Sequence, residues 1–257
     1  MTEARALSVV VPAYNEERRL PALLDLFDGP ATTLLEEIGL RLHELIVVDD
    51  GSTDSTRDVL AARVGSISGV TVIRFETNRG KGAAVQAGML AAEGNLALMT
   101  DVDVATPLGE TAALLAALDR GFDVAIGSRA LPTSTIAVRQ PRHRELMGRT
   151  FNGMLRVSTG LSFHDTQCGF KLFRLERARR LFELQRIAGF AYDAELLVLA
   201  RILAIPVAEV PVQWSDDMRT TVGLFRAPSS MALDLMRIAW LARRPERFKA
   251  RNVSPAE

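Results

Sequence analysis

The chain contains very little cysteine and histidine. Its 257 residues include one cysteine, Cys168, and three histidines, His43, His143 and His164, which stand far apart in the sequence. A single cysteine cannot form an internal disulfide, and these residues offer no Cys/His zinc cluster. The sequence therefore excludes a disulfide-stapled secreted scaffold and a structural zinc domain.

The chain also lacks an excess of charge of either sign and any long apolar run. Its 31 basic and 31 acidic residues balance, which argues against a protein that holds nucleic acid mainly by neutralising phosphates. No stretch approaches the roughly 18 uninterrupted apolar residues of a membrane span, and the N-terminus lacks the apolar core of a signal peptide. We expect a cytoplasmic protein with no nucleic-acid partner, whose membrane contact, if any, is peripheral.

Lysine is scarce as well. Only Lys81, Lys171 and Lys249 contribute to the 31 basic residues, and all the others are arginines. Together with abundant alanine, this bias is typical of a GC-rich genome and indicates nothing about function.

Short apolar runs alternate with helical stretches over the first half of the chain. Each run is mostly apolar and ends at polar or small residues, which is typical of strands buried on both faces. The runs cover 7–11, 45–48, 70–75, 96–100 and 122–126. The helical stretches lie near 17–27, 53–63, 81–92 and 108–119. This alternation predicts an α/β fold with a mostly parallel, doubly wound sheet flanked by helices.

The alternation lapses beyond residue 130. Residues 131–144 are rich in Pro, Arg and Thr, which predicts a mobile loop. Residues 229–251 predict an amphipathic helix with a basic tail. Other helices are predicted over 146–159 and 192–204, and strands over 170–173 and 207–214.

Two carboxylates follow the fourth apolar run. In open α/β sheets, ligands bind beyond the carboxyl ends of the strands, and Asp101 and Asp103 lie at such an end, directly after 96–100. Two carboxylates at this spacing can approach one divalent cation that carries a diphosphate. We therefore predict a site for Mg²⁺ or Mn²⁺, although the same spacing also occurs by chance in many proteins.

A Gly-rich segment lies between the third run and the next helix. The segment 78–82, Asn-Arg-Gly-Lys-Gly, can place backbone amides and the Lys81 ammonium near phosphate at a helix N-terminus. The P-loop spacing G-x-x-x-x-G-K-[ST] and the dinucleotide spacing G-x-G-x-x-G are both absent, which removes the ordinary NTPase and dinucleotide interpretations. A tight turn with an exposed lysine is the alternative.

Five ordered blocks resemble the inverting family 2 glycosyltransferases, which have the GT-A fold. The blocks are Val-Val-Pro-Ala-Tyr-Asn-Glu at 10–16, Ile-Val-Val-Asp-Asp-Gly-Ser-Thr-Asp at 46–54, Asn-Arg-Gly-Lys-Gly-Ala-Ala-Val at 78–85, Asp-Val-Asp at 101–103 and Gly-Ser-Arg at 127–129. Segments 165–173, 192–196 and 209–214 are similar to the dolichyl-phosphate β-glucosyltransferase and polyprenyl-phosphate glycosyltransferase branch. We expect a GT-A catalytic domain over 1–225, followed by a C-terminal amphipathic helix and basic tail over 226–257.

The resemblance implies a metal-dependent transfer, with inversion, from a UDP-sugar to a polyprenyl phosphate. Glucose and an N-acetylhexosamine are the leading sugars. The alternatives are a family 2 glycosyltransferase with a soluble or glycan acceptor, and a nucleotide-sugar-binding protein without catalysis. A sugar-1-phosphate nucleotidyltransferase shares the architecture, but its N-terminal Gly-rich loop is replaced here by 12–16, Pro-Ala-Tyr-Asn-Glu.

The resemblance also implies roles for individual residues. Nucleotide contacts are expected from Pro12, Ala13, Tyr14, Glu16, Asp49, Asp50 and Lys81. Acceptor contacts are expected from Ser128, Arg129, Arg142, Arg149, Gln167, Lys171 and Trp214. Catalytic roles are expected for Asp101, Asp103, Arg129 and Asp193, of which Asp101 and Asp103 bind the metal.

Two features qualify these roles. Asp193 lies where many relatives have an acidic general base, but an acceptor that is already an anionic phosphate needs no strong base, so we expect Asp193 to orient the reactants. After Trp214 the branch usually continues with a Gly-Ser-Lys-like turn, whereas this chain reads Ser-Asp-Asp-Met-Arg-Thr-Thr-Val over 215–222. The identity of the sugar depends on this departure.

Membrane contact is expected from the C-terminus. Relatives carry an N-terminal anchor or C-terminal membrane spans. We expect neither in this chain, so the basic amphipathic C-terminus is the candidate for peripheral contact with the inner face of the cytoplasmic membrane. An integral membrane protein is a further candidate partner. The alternative is that residues 231–241 pack on the core and leave only the tail in solvent.

Overall fold

The fold is built from strands and helices that alternate over most of the chain. In a computed structural model, which describes residues 5–65, 67–138, 142–216 and 227–243, the strands are β1 (Arg5–Ala13), β2 (Leu40–Asp49), β3 (Val70–Arg74), β4 (Leu96–Thr100), β5 (Val124–Ser128), β6 (Thr135–Val138), β7 (Phe170–Arg174), β8 (Val207–Pro211) and β9 (Gln213–Ser215). The helices are α1 (Leu20–Phe27), α2 (Pro30–Glu37), α3 (Thr56–Arg63), α4 (Lys81–Ala91), α5 (Thr111–Asp119), α6 (Arg142–Thr159), α7 (Leu175–Leu184), α8 (Tyr192–Ile202) and α9 (Ala227–Arg243).

One strand of the central sheet runs against the others. Within the described residues the sheet has the order β3-β2-β1-β4-β7-β5-β8. Its neighbouring strands are parallel except for β7, which is antiparallel to both β4 and β5. Thr100, the last residue of β4, lies opposite Phe170, the first residue of β7. The segment before β7 therefore reaches the edge of the sheet at which the parallel strands end.

Helices cover both faces of this sheet. Val10 of β1 packs in the core cluster that includes α4 and α8, whereas its neighbours Val9 and Val11 pack in the cluster that includes α1 and α5. Successive strand residues point to opposite faces. Because both faces of the central strands are buried, these strands have mostly apolar sequences.

The structure confirms the mostly parallel sheet and a strand in each of the five apolar runs. The mobile loop predicted over 131–144 is wrong, because β6 forms there and pairs with β9, and α6 begins at Arg142. Most of β6 is exposed, and its apolar run, 136–138, is only three residues long, too short to predict a strand. The strand predicted over 207–214 divides at Val212, where β8 stays in the central sheet and β9 leaves it.

The C-terminal helix α9 packs against α6 and α8. Ile238 and Leu241 are buried in the core cluster that covers one face of the sheet. The expected domain boundary at 225 and the basic tail after 243 lie outside the described residues. Across the described ranges, the helices are too short or too polar to cross a membrane.

The close packing of α4 on the sheet yields a prediction. A Cβ atom at Gly88 would lie 2.4 Å from Cγ1 of Val10 and 3.0 Å from Cγ2 of Val48. We expect Gly88→Ala to lower the free energy of unfolding by about 1–3 kcal/mol, because overpacking forces the helix off the strands. Gly153→Ala is the control. Gly153 lies within α6 with open space around it, so this change should instead stabilise by up to about 1 kcal/mol through helix propensity. Urea unfolding measures both, and equal effects would contradict the packing argument.

Candidate active site

The candidate site lies at the edge where β1, β2 and β4 end. The turns after β1 and β2 are tied together there: the backbone N–H of Asn15 donates to Oγ of Ser52 over 3.0 Å, and Oδ1 of Asn15 accepts from the N–H of Thr53 over 2.9 Å. Asn15 has a φ of 56°, a left-handed conformation that asparagine tolerates better than most residues. These bonds fix the turn after β1, which contains the expected nucleotide contacts Tyr14 and Glu16; the expected contacts Pro12 and Ala13 are the last two residues of β1.

Asp101 is held between a cation and a glycine. Its Oδ1 lies 2.6 Å from Nζ of Lys81, the first residue of α4. Burial alone would lower the pKa of Lys81, but the Asp101 carboxylate raises it above its ordinary value. On the other side, a Cβ atom at Gly169 would lie 2.0 Å from Oδ2 of Asp101. Only glycine leaves room for the carboxylate in this position.

Asp103 is the second carboxylate of the pair. Its Oδ1 accepts from the backbone N–H of Ala105 over 3.1 Å, and its Oδ2 lies 3.6 Å from Nη1 of Arg19. Burial raises the pKa of Asp103, and repulsion by Asp101 adds to this. Arg19 also forms a two-point ion pair with Glu16, at 2.5 and 2.6 Å. Arg19 was not among the expected site residues; its only sequence signal is the position three residues after Glu16.

The two carboxylates fit a hard divalent cation. The side chains of Asp101 and Asp103 are 34% and 19% exposed, so both can turn toward a ligand. In the described part of the chain, no group of three or more His, Cys, Asp and Glu residues gathers to hold a metal. Mg²⁺ and Mn²⁺ sites that use one or two carboxylates complete their coordination with substrate phosphates and water. The residues therefore suit a cation that arrives with a diphosphate.

Asp49 and Asp50 have different environments, although both are buried. The Asp50 carboxylate accepts from the backbone N–H groups of Arg79 and Gly80 and from Nδ2 of Asn78, at 2.7 to 2.9 Å. Through these bonds the Asp50 carboxylate holds the Gly-rich segment 78–82 in place. Oδ1 of Asp49 accepts from the N–H of Ser52, but its buried Oδ2 has no hydrogen-bond partner among the described residues and lies 3.6 Å from Nε of Arg74. Of the two, Asp49 retains the capacity to accept a ligand hydrogen bond.

Arg129 is anchored at the end of β5. Its Nε and Nη2 donate to both oxygens of Asp165, at 2.7 and 3.0 Å, and its backbone N–H donates to Oδ2 of Asp165 over 3.0 Å. Burial would raise the pKa of Asp165, but the guanidinium lowers it below its ordinary value. The guanidinium carbon also lies 5.4 Å from the ring centre of Trp214. Asp165 and Trp214 thus fix Arg129 in one orientation, and the role of Asp165 was not predicted.

Lys171 and Asp193 form a buried ion pair. Nζ of Lys171 contacts Oδ1 of Asp193 and donates to the backbone carbonyl of Cys168 over 2.7 Å. Both side chains are almost fully buried, at 2% and 6% exposure. Burial raises the pKa of Asp193, and the charges of Lys171 and Lys81 oppose this shift. These contacts favour a positioning role for Lys171 over the direct acceptor contact that the resemblance implies.

The remaining expected acceptor residues are spread over several elements. Ser128 is fully buried at the end of β5, and its Oγ accepts from the backbone N–H of Ala130 over 3.3 Å. Gln167 is half-buried, and its backbone N–H donates to Asp165 over 3.2 Å. Arg149 lies on the exposed face of α6. Arg142 begins α6, and its side chain lies outside the described residues.

The contact between Gly169 and Asp101 yields a prediction. We expect Gly169→Ala to weaken Mn²⁺ binding in the presence of UDP by at least about tenfold, because the added methyl group displaces a ligand carboxylate. Calorimetric titration of Mn²⁺ measures this effect. Gly109→Ala, where a Cβ meets open space, is the control and should bind as wild type does. Unchanged affinity in the Gly169 variant would contradict the assignment of Asp101 as a ligand.

Comparison with known proteins agrees with this geometry. The profile of the family described as "Glycosyl transferase family 2" matches residues 8–182. The chain is 35% identical over 243 residues to "Dolichyl-phosphate beta-glucosyltransferase" of Dictyostelium discoideum. This match covers 90% of this chain and 73% of the relative. It is also 37% identical over 246 residues to the human protein of the same name, and this match covers 90% of this chain and 74% of the human protein.

The fold is similar to that of solved glycosyltransferase structures. Glucosyl-3-phosphoglycerate synthase from Mycobacterium tuberculosis, in complexes with UDP and with Mn²⁺, UDP and its product, has a TM-score of 0.63 and 24% identity over 93% of this chain and 80% of the other. The predicted GT-A fold and the resemblance to the dolichyl-phosphate β-glucosyltransferase branch are both confirmed. The chain is a glycosyltransferase that belongs to glycosyl transferase family 2.

Proposed function

We propose that this chain transfers glucose from UDP-glucose to a polyprenyl phosphate of the dolichyl type, with inversion, to give a polyprenyl-phosphate β-glucose. The observation that carries the proposal is that two carboxylates and an anchored arginine lie at the same edge of the sheet. The carboxylates Asp101 and Asp103 follow β4, and the anchored Arg129 follows β5. Only β7 separates these strands. The relatives named for dolichyl-phosphate glucosylation, at 34–38% identity over about nine-tenths of the chain, support glucose as the sugar and a lipid phosphate as the acceptor.

On the donor side, the chain's residues bind the nucleotide and its diphosphate. Asp49, with the turn of Pro12, Ala13 and Tyr14, would contact the base and ribose. Asp101 and Asp103 would hold Mg²⁺ or Mn²⁺, which supplies Lewis-acid stabilisation of the departing diphosphate. Lys81 is the first residue of α4, and its pKa is raised, so its side chain is positively charged. It adds this charge where negative charge develops on the leaving group.

On the acceptor side, Arg129 orients the lipid phosphate. A phosphate oxygen attacks the anomeric carbon as the bond from that carbon to the diphosphate breaks, and the electron pair leaves with UDP. Nε and Nη2 of Arg129 each donate to Asp165, so the guanidinium would meet the phosphate through its remaining N–H groups. Because the nucleophile is already an anion, the buried Asp193 has no proton to remove, and it acts with Lys171 in holding the segment before β7.

We also place the chain at the cytoplasmic face of a membrane, where a polyprenyl phosphate presents its headgroup. The exposed side of α9 supports a peripheral contact, because Leu233, Met236 and Trp240 are more than two-fifths exposed there. An integral membrane protein at the same face is compatible with this arrangement.

The proposal is tested by a transfer assay with purified protein, Mn²⁺ or Mg²⁺, radiolabelled UDP-sugars and a polyprenyl phosphate in detergent. We expect a labelled, mild-acid-labile lipid with UDP-glucose as donor. Labelled lipid with UDP-N-acetylglucosamine alone would overturn the choice of sugar. Hydrolysis of the donor without labelled lipid would overturn the acceptor, and 3-phosphoglycerate is then the soluble acceptor to assay.

Asp103 provides a prediction that separates activity from stability. We expect Asp103→Asn to lower the transfer rate by about 100-fold or more, because a metal ligand and its charge are lost. The same change should raise the thermal midpoint of the metal-free protein at pH 7. The folded-state pKa of Asp103 is raised by burial and by Asp101, so its ionisation costs stability above that pKa and costs nothing below the unfolded pKa.

The stability gain in Asp103→Asn should therefore disappear as the pH falls toward 4, which thermal unfolding in EDTA measures. Asp119→Asn is the control, because Asp119 forms an exposed surface pair with Arg5 and lies outside the site. Full activity in the Asp103 variant would contradict the metal assignment.

A further inference from the structure

Helix α6 has an apolar stripe on its exposed side. Leu146, Met147, Met154 and Val157 are 66%, 52%, 51% and 90% exposed. At about 100° per residue, these positions fall within an arc of about 100° on the helix. Its other side buries Phe151 and Leu155 in the core. A surface helix normally turns its apolar stripe toward the core and polar residues toward water, so the exposed stripe indicates a partner.

The neighbouring helix α9 has the same pattern. Leu233, Met236 and Trp240 are 54%, 61% and 43% exposed, whereas Ile238 and Leu241 on its other side are buried. The two helices pack against each other. Their exposed stripes therefore lie on adjacent elements, and scattered single apolar residues do not account for them.

Arginines accompany both stripes. Arg149 and Arg156 lie on one side of the apolar arc of α6, and Arg237 and Arg243 lie on the two sides of the arc of α9; all four are exposed. Among the described side chains of these helices, the one acid, Asp234, is buried and pairs with Arg237. An apolar stripe bordered by basic residues is the composition of helices that lie in the interface of anionic bilayers.

The α6 stripe is mechanically linked to the acceptor arginine. Asn152 of α6 donates to the backbone carbonyl of His164 and accepts from Oγ1 of Thr166 over 3.1 Å. These two residues flank Asp165, which holds Arg129 through both carboxylate oxygens. A bilayer seated on α6 would thus be coupled to the segment that orients the residue expected to receive the lipid phosphate.

We propose that the exposed faces of α6 and α9 together form a docking surface for an anionic lipid bilayer. The proposal rests on the proposed function only in that a lipid acceptor makes such a surface useful; its physical basis is the pair of stripes and their arginines. The hydrophobic side chains enter the interfacial region, and the arginines pair with lipid headgroups. This surface extends beyond the C-terminal helix to include α6, which precedes the acceptor segment in the chain.

Vesicle co-sedimentation of the full chain tests the proposal. Wild type should bind vesicles of phosphatidylcholine mixed with phosphatidylglycerol more tightly than vesicles of phosphatidylcholine alone. The double variant Met147→Ser, Val157→Ser should lower the partition coefficient by at least about tenfold, because two apolar insertions are lost. Arg156→Gln should lower it about fivefold on anionic vesicles alone. Leu90→Ser is the control, because Leu90 is an exposed apolar residue that lies on α4, outside both stripes.

The outcomes separate this surface from the proposed function. If the α6 double variant binds vesicles as tightly as wild type, the docking surface is overturned, whatever the transfer assay shows. Weakened vesicle binding supports the surface even if no lipid product forms in detergent, which would overturn the proposed function alone. Detergent transfer by the double variant should match wild type, whereas transfer to lipid phosphate in vesicles should fall. Sedimentation velocity tests whether the surface instead binds a second copy of the chain. If wild type is a dimer, the double variant is a monomer and vesicle binding is unchanged, the proposal is overturned.

Discussion

The Asp101 carboxylate is the constraint on which the site depends. It requires a cation on one side, supplied by Lys81 at the start of α4, and the absence of a side chain on the other, supplied by Gly169. Gly169 reaches this position because β7 runs antiparallel and begins where β4 ends. The same segment contains Asp165, which holds Arg129. One reversed strand thus brings the expected metal ligand Asp101 and the expected acceptor residue Arg129 to the same edge of the sheet.

Much of the fold could be predicted because burial on both faces leaves a mostly apolar run in β1, β4, β5 and the second half of β2. The structure also contains elements that have no long apolar run in the sequence. β6 is exposed along most of its length and is defined by pairing with β9, about 75 residues away in the sequence. The division of the last strand at Val212 depends on the same pairing. Long-range pairing decides these elements, and a local pattern does not contain it.

Candidate site residues can be proposed from the sequence where polar residues follow a strand end, but not where residues pair with each other. The spacing of Asp101 and Asp103 predicts a metal site from the sequence alone, and this assignment stays a prediction. Nothing in the sequence distinguishes Asp49 from Asp50. In the structure, Asp50 binds the backbone of the Gly-rich segment, whereas one oxygen of Asp49 has no hydrogen-bond partner within the described part of the chain. The pairing of Lys171 with Asp193 likewise joins residues 22 apart through the core, and it favours a supporting role for Lys171 over the expected acceptor contact.

The scarcity of lysine has a practical consequence for following this enzyme in solution. Within the described residues the only lysines are Lys81, with a side chain that is 25% exposed, and Lys171, at 2%. Arginine, which supplies nearly all the other cations, does not react with amine-acylating reagents. The ε-amine of Lys81 is thus the accessible acylation target of this part of the chain, and Asp101 slows its reaction by keeping it protonated. The acylation rate at this one residue therefore reports, without any mutation, whether Asp101 is paired with lysine or engaged elsewhere.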